Sequence, residues 1–282
     1  MQPIIKWAGG KRKFATQIAG FLGEVKGTYY EPFLGGGALL LHMCPEHAVC
    51  SDINPELINL YNVVKNDVDT LIDLLKKEFV PNHSKAFYYE VRGWDRDINE
   101  YVQITPIRRA ARFIYLNKTC YNGLWRVNRD GMNNVPFGRY KCPTILLEED
   151  LRQASAYFRE KDTNFIVSDY KVLAQQAVKG DTVYFDPPYD IEPGQSEFVS
   201  YTASGFNRKD QEELKELCDL LVDRGVKVGI SNSNTTFIRS LFASDKKHLY
   251  ILNEIAPFSR TIGSKPSSRK KTTELIIIGK KK

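Results

Sequence analysis

Short hydrophobic runs alternate with amphipathic segments along most of the 282-residue chain. The runs are rich in Val, Ile, Tyr and Phe, which favour buried strands, whereas the amphipathic segments repeat apolar residues at helical spacing. The pattern predicts strands at 29–33, 48–52, 164–169, 182–186, 226–232, 249–255 and 274–278. It predicts helices at 12–22, 55–64, 148–158, 170–178, 207–223 and 235–242, with another starting at residue 39. Because strand–helix alternation favours a mainly parallel sheet with right-handed crossovers, we predict an α/β fold with a Rossmann-like mixed sheet.

The alternation is interrupted between residues 59 and 146. Helical segments are predicted at 68–79, 84–92 and 107–117, and a polar stretch rich in Asn, Gly and Arg follows at 119–143. A loop this long inside a compact domain is usually functional. We therefore predict that 59–146 form an inserted, mainly helical domain, and that 1–58 and 147–282 together form the main domain.

Composition narrows the class of protein. A hydrophobic content of 42%, with 15 Tyr and 15 Phe, supplies a packed core. No apolar run approaches the roughly 18–20 residues that span a bilayer, and the amino terminus is too short and polar for a secretory signal. The five cysteines are scattered and never spaced Cys-x-x-Cys, so we expect neither disulfides nor a metal site. We expect a cytoplasmic protein without a membrane partner.

The chain has a net charge of +6 and a pI near 8.9, which permits a polyanionic partner without establishing one. Basic residues crowd two segments. The first contains Arg108, Arg109, Arg112, Lys118, Arg126, Arg129, Arg139 and Lys141, and the second contains Lys265, Arg269, Lys270 and Lys271. On charge alone, a solvated surface is the better interpretation of each cluster.

The stretch 182–189, Thr-Val-Tyr-Phe-Asp-Pro-Pro-Tyr, predicts a buried strand that leads into a rigid turn. Pro187 restricts Asp186 to an extended conformation at the carboxyl end of the strand, where open α/β sheets bind ligands. The Asp186 carboxylate and the Pro187 carbonyl could accept two amino hydrogens while a planar ring stacks on Tyr189. The alternative is a structural proline turn, but this combination at a strand end favours the functional interpretation.

A glycine-rich segment at 31–38, Glu-Pro-Phe-Leu-Gly-Gly-Gly-Ala, lies between a predicted strand and a predicted helix. Its glycines allow close approach of a ligand, and the helix amino terminus supplies N–H groups. Asp52 ends the next strand, where a carboxylate can accept from ribose hydroxyls. The Gly-x-Gly-x-x-Gly fingerprint of nicotinamide dehydrogenases is not met. A nucleoside cofactor without a diphosphate, such as S-adenosyl-L-methionine, therefore fits better than a dinucleotide, and a glycine-rich core turn is the alternative.

Three further positions are ambiguous from sequence alone. Asp169 also ends a predicted strand, where it could lie near a cofactor's adenine or cap the following helix. Trp7 could be a core residue and Lys11 a surface residue.

The order of these motifs resembles the alpha group of DNA adenine-N6 methyltransferases, especially the Dam-type and DpnM-type enzymes that methylate GATC. The resemblance covers nearly the whole chain. Besides the glycine-rich and Asp-Pro-Pro-Tyr segments, it includes Lys-Trp-Ala-Gly-Gly-Lys at 6–11, Tyr-Asn-Gly-Leu-Trp-Arg at 121–126 and Asn-Val-Pro-Phe-Gly-Arg-Tyr-Lys at 134–141. The last two are long and ungapped, which makes them specific. Trp125 stands where Dam has Cys, and Asp169 follows the DpnM-like pattern.

This resemblance implies a Rossmann-like S-adenosylmethionine-dependent methyltransferase fold whose insert, 59–146, is a DNA target-recognition domain. The implied reaction transfers a methyl group to N6 of the flipped-out adenine of GATC in double-stranded DNA. The implied catalytic residues are Asp186, Pro187 and Tyr189. The implied cofactor-binding residues are Trp7, Lys11, Phe33, Gly35, Gly37, Asp52, Asp169 and Asp186. The implied DNA-binding residues are Lys6, Asn122, Leu124, Arg126, Asn134, Pro136, Arg139 and Tyr140.

A monomer that associates with the nucleoid through DNA is expected, and a cognate restriction endonuclease is an open possibility. Two other classes stay open. One is an enzyme that methylates RNA, cytosine N4 or a protein amide, and the other is a catalytically silent DNA-binding protein.

Overall fold

The computed structural model describes residues 1–192, 206–244, 246–255 and 273–281. Within them the strands are β1 Tyr29–Glu31, β2 Ala48–Asp52, β3 Thr163–Val167, β4 Thr182–Phe185, β5 Lys227–Ser233, β6 His248–Ile255 and β7 Glu274–Lys281. The helices are α1 Ala15–Leu22, α2 Ala38–Met43, α3 Pro55–Asn66, α4 Val68–Leu74, α5 Lys85–Gly93, α6 Ile98–Tyr101, α7 Pro106–Thr119, α8 Glu148–Glu160, α9 Tyr170–Ala174, α10 Arg208–Asp223 and α11 Thr236–Leu241. Every predicted strand forms. The basic cluster at Lys265, Arg269, Lys270 and Lys271 lies outside the described residues.

The chain divides into two compact units. Unit 1 comprises Met1–Ala15, Gly35–Glu46 and Asp52–Val167, and unit 2 comprises Thr16–Leu34, His47–Ser51 and Ser168–Lys282. The predicted target-recognition insert, 59–146, falls wholly within unit 1.

Unit 2 is built on a mixed sheet. Its strands follow the order β2-β1-β4-β5-β7-β6. The pairs β1–β2, β1–β4 and β4–β5 are parallel, as strand–helix alternation predicts, whereas β7 pairs antiparallel with both β5 and β6. The parallel strands therefore share one carboxyl edge, where β4 ends.

The core of unit 2 lies between this sheet and its helices. Val183 and Phe185 of β4 pack in one buried cluster with Leu214 and Leu221 of α10. Asn207 begins α10 with a capping box, because its side chain accepts from the Asp210 N–H while the Asp210 carboxylate accepts from the Asn207 N–H.

Unit 1 is organised around α7, which packs against α3, α4 and α5. Every residue from 110 to 119 is buried, including the polar residues Arg112, Asn117 and Lys118. Strand β3 packs against α3 and α8. A helix that is buried on all sides is normally apolar, so these polar side chains need specific partners.

Some element ends differ from the prediction. The helix predicted at 170–178 ends at Ala174. Beyond it the Gln176 and Ala177 N–H groups donate to the carbonyls three residues earlier, and the Val178 N–H donates to the buried carboxylate of Asp181, 2.9 Å away. The segment predicted as one helix at 68–79 is α4 followed by a π-helical turn at Leu75–Phe79. Among the described residues, none of the helices has the length and apolar character needed to cross a bilayer.

Candidate functional site

The Asp-Pro-Pro-Tyr turn follows directly from the buried end of β4. Val183, Tyr184 and Phe185 are fully buried, and β4 lies between parallel β1 and β5. Asp186, the next residue, is half-buried. The carboxylate therefore stands at the carboxyl edge of the sheet, as the sequence predicts.

Tyr189 lies on the same turn with its ring half-buried. Its hydroxyl donates to Oε2 of Glu274 on β7 over 3.3 Å. Burial raises the pKa of Tyr189 well above its usual value, and the nearby carboxylates of Asp186 and Glu274 raise it further. The side chain is therefore a neutral phenol near neutral pH, with an aromatic face suited to stacking.

Two amide side chains that the sequence did not single out hold this turn. Nε2 of Gln211 donates to the Pro188 carbonyl over 2.8 Å, and Nδ2 of Asn232 donates to Oε1 of Gln211 over 3.0 Å. The Pro188 carbonyl is therefore engaged within unit 2. In sequence, a glutamine within a helix and an asparagine near a strand end carry no local signal of such a role.

Phe33 belongs to an aromatic group in unit 2. Its ring stacks on Tyr170 with centroids 5.0 Å apart, and Phe206 meets it edge-on at 5.9 Å. The buried Tyr170 hydroxyl has no hydrogen-bond partner among the described residues. Buried polar groups normally have a partner, so this hydroxyl is available to a polar group of a ligand. Tyr170 was missed from sequence, although it follows the strand-ending Asp169 directly.

Asp169 itself is exposed, and its carboxylate accepts from the Lys171 N–H over 2.8 Å. It therefore caps α9, which is one of the two roles that the sequence left open. The second oxygen of a carboxylate keeps acceptor capacity in such a cap.

The glycine-rich turn of unit 1 lies against Trp7. Gly35 has a φ of +48°, and a Cβ built on it would lie 2.7 Å from the Trp7 indole. A Cβ on Gly36 would lie 3.0 Å from the Trp7 Cβ. Gly37 begins α2 with a φ of +60°. Glycine is therefore required here by packing against Trp7 as well as by backbone conformation.

Asp52, the last residue of β2, accepts a hydrogen bond from this turn. One carboxylate oxygen accepts from the Gly35 N–H over 3.1 Å, and the other accepts from the Asn54 N–H over 3.0 Å. Burial raises the pKa of Asp52, while these backbone hydrogen bonds oppose the rise. The Tyr61 hydroxyl donates to the Gly35 carbonyl over 3.1 Å. Lys11, also in unit 1, is buried, and its ammonium donates to the Gly9 carbonyl.

The polar stretch predicted as a long loop forms an antiparallel hairpin at 120–138, which we call the recognition hairpin. Cys120 pairs with Phe137 at its base, and Val127 pairs with Asn133 near its tip. The sequence-predicted DNA-binding residues lie along both legs: Leu124 and Arg126 on the outgoing leg, and Asn134 and Pro136 on the returning leg.

Arg126 is exposed on the recognition hairpin but already has a partner. Its Nε donates to Oδ1 of Asn134 over 2.6 Å, and the Asn134 N–H donates back to the Arg126 carbonyl over 3.1 Å. The two predicted DNA-binding residues are therefore brought together, and the guanidinium is oriented in advance of any ligand.

Asn122 and Arg139 lie near the base of the hairpin with φ of +56° and +53°. Side chains rarely adopt this region, and such residues cluster at functional sites. Tyr140 follows, and the Lys6 ammonium lies 5.0 Å from the centre of its ring. Lys6 and Tyr140 are thus also brought together in unit 1.

Asn117 of α7, which the sequence did not single out, fixes Lys6. Its amide oxygen accepts from the Lys6 N–H over 2.9 Å, and its Nδ2 donates to the Lys6 carbonyl over 2.8 Å. Nδ2 also reaches the Gly123 carbonyl at 3.1 Å. A buried side chain therefore connects the amino-terminal segment to the recognition hairpin.

Unit 1 contains a cavity of about 290 Å³ next to Lys6 and Lys118. It is lined by Lys6, Lys118, Tyr140, Cys142, Pro143, Thr144 and Leu147. Burial, together with the neighbouring Lys6, lowers the pKa of Lys118 to about 8. Two lysines that line one cavity suit an anionic ligand.

Comparison with known proteins defines the class. The family described as D12 class N6 adenine-specific DNA methyltransferases matches residues 7–256. A type II methyltransferase of Lactococcus lactis subsp. cremoris is 38% identical over 98% of this chain and 95% of its own length. A type II methyltransferase of Methanocaldococcus jannaschii is 40% identical over 86% of this chain and 88% of its own length. The DNA adenine methylase of Escherichia coli is 35% identical over 98% of this chain and 95% of its own length.

The chain is a DNA methyltransferase with a mixed α/β fold consistent with S-adenosylmethionine-dependent enzymes. It belongs to the D12 class of N6 adenine-specific DNA methyltransferases, which use S-adenosylmethionine as methyl donor. The resemblance seen in the sequence is thereby confirmed at the level of family, reaction and cofactor.

Proposed function

We propose that this enzyme methylates the adenine of GATC in double-stranded DNA after that base has been flipped out of the helix. The observation that carries the proposal is the recognition hairpin, in which Arg126 is oriented by Asn134 on legs that also bear Leu124 and Pro136. Residues 121–126 and 134–141 resemble motifs of the Dam-type and DpnM-type enzymes that methylate GATC, and this resemblance supports the proposal. We also propose that 59–146 is the target-recognition domain.

Arg126 is the candidate reader of a guanine. A guanidinium can donate two hydrogen bonds to O6 and N7 on the major-groove edge of guanine, a pattern that no other base presents. Leu124 and Pro136 supply apolar surface for the thymine methyl. Tyr140 contacts a target base, and Lys6, Asn122 and Arg139 lie near it as further DNA-binding residues.

Cofactor binding is assigned to residues of each unit. In unit 1, Asp52 would accept from ribose hydroxyls beside the turn formed by Trp7, Gly35 and Gly37, and Lys11 completes this set. In unit 2, Phe33, Asp169 and Asp186 complete the assignment. The buried Tyr170 hydroxyl without a partner among the described residues, next to the Phe33 ring, fits the polar edge of a purine. When bound, S-adenosylmethionine supplies an electrophilic methyl group on its sulfonium.

The protein must make adenine N6 nucleophilic, because its lone pair is delocalised into the ring. The Asp186 carboxylate would accept one amino hydrogen. The Pro188 carbonyl accepts from Gln211, so we assign the second amino hydrogen to the Pro187 carbonyl. Both contacts favour a pyramidal nitrogen with an available lone pair, and Tyr189 would stack on the flipped base.

The test is a genome-wide map of N6-methyladenine in a methylation-free host that expresses the protein. Modification of the adenine on both strands of GATC is expected. Asp186→Ala should remove the modification without lowering the melting temperature appreciably, because Asp186 is half-buried and lies outside the strand core. Methylated adenines in another motif would refute the assignment of the recognition hairpin. Methylcytosine or modified RNA would support the other classes of substrate.

A palindromic site allows a monomer to methylate each strand in separate encounters, so we propose a monomeric enzyme. A cognate restriction endonuclease in the same system is also proposed, since type II methyltransferases are among the relatives.

A further inference from the structure

A chain of buried amides lies directly behind the Asp-Pro-Pro-Tyr turn. Gln211 of α10 is 1% exposed and Asn232 of β5 is 0% exposed. Gln211 Nε2 donates to the Pro188 carbonyl at 2.8 Å, and Asn232 Nδ2 donates to Gln211 Oε1 at 3.0 Å. Asn232 Oδ1 in turn accepts from the Asp190 N–H at 3.2 Å. The two amides thus connect the backbone on both sides of Tyr189.

Only one orientation of the two amides satisfies this chain. A carbonyl can only accept and a backbone N–H can only donate, so Gln211 must present its NH₂ to Pro188 and Asn232 its oxygen to Asp190. The remaining oxygen of Gln211 then meets the remaining NH₂ of Asn232. A glutamate at position 211 would place an acceptor against the Pro188 carbonyl. The amide chemistry is therefore specific, beyond the need to fill space.

The carbonyl and the carboxylate of Asp190 also accept hydrogen bonds. The Ser233 hydroxyl donates to its carbonyl at 2.5 Å, the Thr235 hydroxyl donates to its carboxylate at 2.7 Å, and Arg208 Nε donates to the carboxylate at 3.0 Å. Every polar group of the residue after Tyr189 is thus engaged from α10, β5 or the residues that follow β5.

The two prolines explain why side chains are needed here. Pro187 and Pro188 have no N–H, so the turn cannot be held by the backbone donors that usually stabilise turns. Burying amides and hydroxyls costs free energy unless every group is paired, and apolar packing would avoid that cost. Hydrogen bonds are directional, so a network of them fixes the orientation of the turn more specifically than apolar packing would.

We infer that Gln211 and Asn232 are positioning residues for methyl transfer. They hold the Pro188 carbonyl and the Asp190 N–H, and thereby set the plane of the Tyr189 ring and the direction of the Pro187 carbonyl relative to the target base. Neither side chain needs to touch substrate. This inference rests on the proposed roles of Asp186, Pro187 and Tyr189.

The experiment compares Gln211→Met, which removes both hydrogen bonds at similar size, with the matched control Asp181→Asn. Asp181 is also buried, precedes the same strand β4 at its opposite end, and accepts from the Thr28 and Val178 N–H groups at 2.8 and 2.9 Å. Both variants should lower the melting temperature. Only Gln211→Met should lower the single-turnover methylation rate, by roughly ten- to a hundredfold, because displacement of aligned groups by about 1 Å has effects of that size.

Binding separates positioning from a general loss of structure. The dissociation constants of Gln211→Met for S-adenosylmethionine and for a GATC duplex should stay within about twofold of wild type, so the effect falls on kcat and not on KM. A single-turnover rate within about twofold of wild type at a lowered melting temperature would overturn the inference. A loss of affinity for S-adenosylmethionine or DNA with an unchanged single-turnover rate would also overturn it.

A milder variant covers the case in which Gln211→Met does not fold. Ser233→Ala removes the hydroxyl that donates to the Asp190 carbonyl and also reaches Oδ1 of Asn232 at 3.4 Å. It should lower the same rate about threefold or more, because a buried hydrogen bond contributes about 1 kcal/mol and this one orients the residue that follows Tyr189. Asp186→Ala is measured in parallel. An active Asp186→Ala would refute the proposed catalytic role of Asp186, whereas an inactive Asp186→Ala with wild-type rates for the other variants would refute only the positioning role of the amides.

Discussion

Gly35 illustrates how one residue serves two requirements. From sequence, a glycine after a strand suggests close approach of a ligand. In the structure the nearest neighbour of its missing Cβ is the Trp7 indole at 2.7 Å, and its N–H is held by Asp52. The glycine-rich core turn and the ligand-binding turn, posed as alternatives from sequence, are therefore compatible at this position.

Lys118 provides a residue-scale prediction about pH. Burial and Lys6 lower its pKa to about 8, against about 10.4 in an unfolded chain. Between these values the unfolded chain binds a proton at Lys118 that the folded protein does not. The free energy of unfolding therefore rises with pH across this interval, and this contribution is lost again as pH falls through 8. The free energy of unfolding of the wild-type protein, relative to that of Lys118→Met, should therefore rise by roughly 1–3 kcal/mol between about pH 7 and 10.

Denaturant unfolding of both proteins across this pH range measures the difference. Lys85→Met, at an exposed position of α5, is the control and should differ from wild type by a constant amount. A wild-type minus Lys118→Met difference that does not change with pH would show that Lys118 stays charged in the folded protein.

At the scale of elements, α7 was predicted as a helix, but its central position was not. Its ten buried residues include four polar ones, Arg112, Asn117, Lys118 and Thr119. Asn117 fixes Lys6, and Arg112 forms an ion pair with Asp95 at 2.7 Å, whose carboxylate also accepts from the Asn133 N–H on the recognition hairpin at 2.8 Å. The polar residues of α7 therefore support the elements that bear the predicted DNA-binding side chains.

The recognition hairpin yields a prediction about specificity. Arg126→Ala should relax selectivity at a single guanine or cytosine position of GATC, because a lost bidentate contact costs about 1–3 kcal/mol of discrimination. The measurement is kcat/KM on duplexes with a substitution at each of the four positions. Arg129→Ala removes an exposed arginine from the tip of the same hairpin and should leave the selectivity profile intact. Equal loss on all duplexes for Arg126→Ala would indicate a phosphate contact instead.

At the scale of the whole molecule, the net charge of +6 predicts salt-sensitive DNA binding. Each phosphate that a lysine or arginine neutralises adds about 0.9 to the slope of log affinity against log salt concentration. Lys6→Ala should therefore reduce the slope by about one. The slope is measured by fluorescence anisotropy on a GATC duplex between about 50 and 200 mM salt.

Lys161→Ala is the control for this series, because Lys161 is paired with Glu46 at 2.8 Å and was not assigned to DNA. Its slope should equal that of the wild-type protein. A wild-type slope close to zero would exclude phosphate contacts as a main source of affinity.

The sequence by itself determined the strands, most of the helices and several of their ends. Asn54, Asn207 and Thr235 cap the helices that follow them, and Pro187 places Asp186 at a strand end. These are effects of neighbouring residues, since periodicity, capping and proline geometry act within a few positions. The family motifs could be recognised from the sequence for the same reason, because each is contiguous in the chain.

The tertiary structure alone decided which distant residues support the site. Strand β7 pairs antiparallel between β5 and β6, Gln211 reaches Pro188 across 23 residues, and Asn117 reaches Lys6 across 111. Each contact depends on how whole elements pack, and a buried polar side chain looks the same in sequence whatever partner it finds. The chemistry of the reacting groups is therefore local, whereas their orientation is a property of the fold.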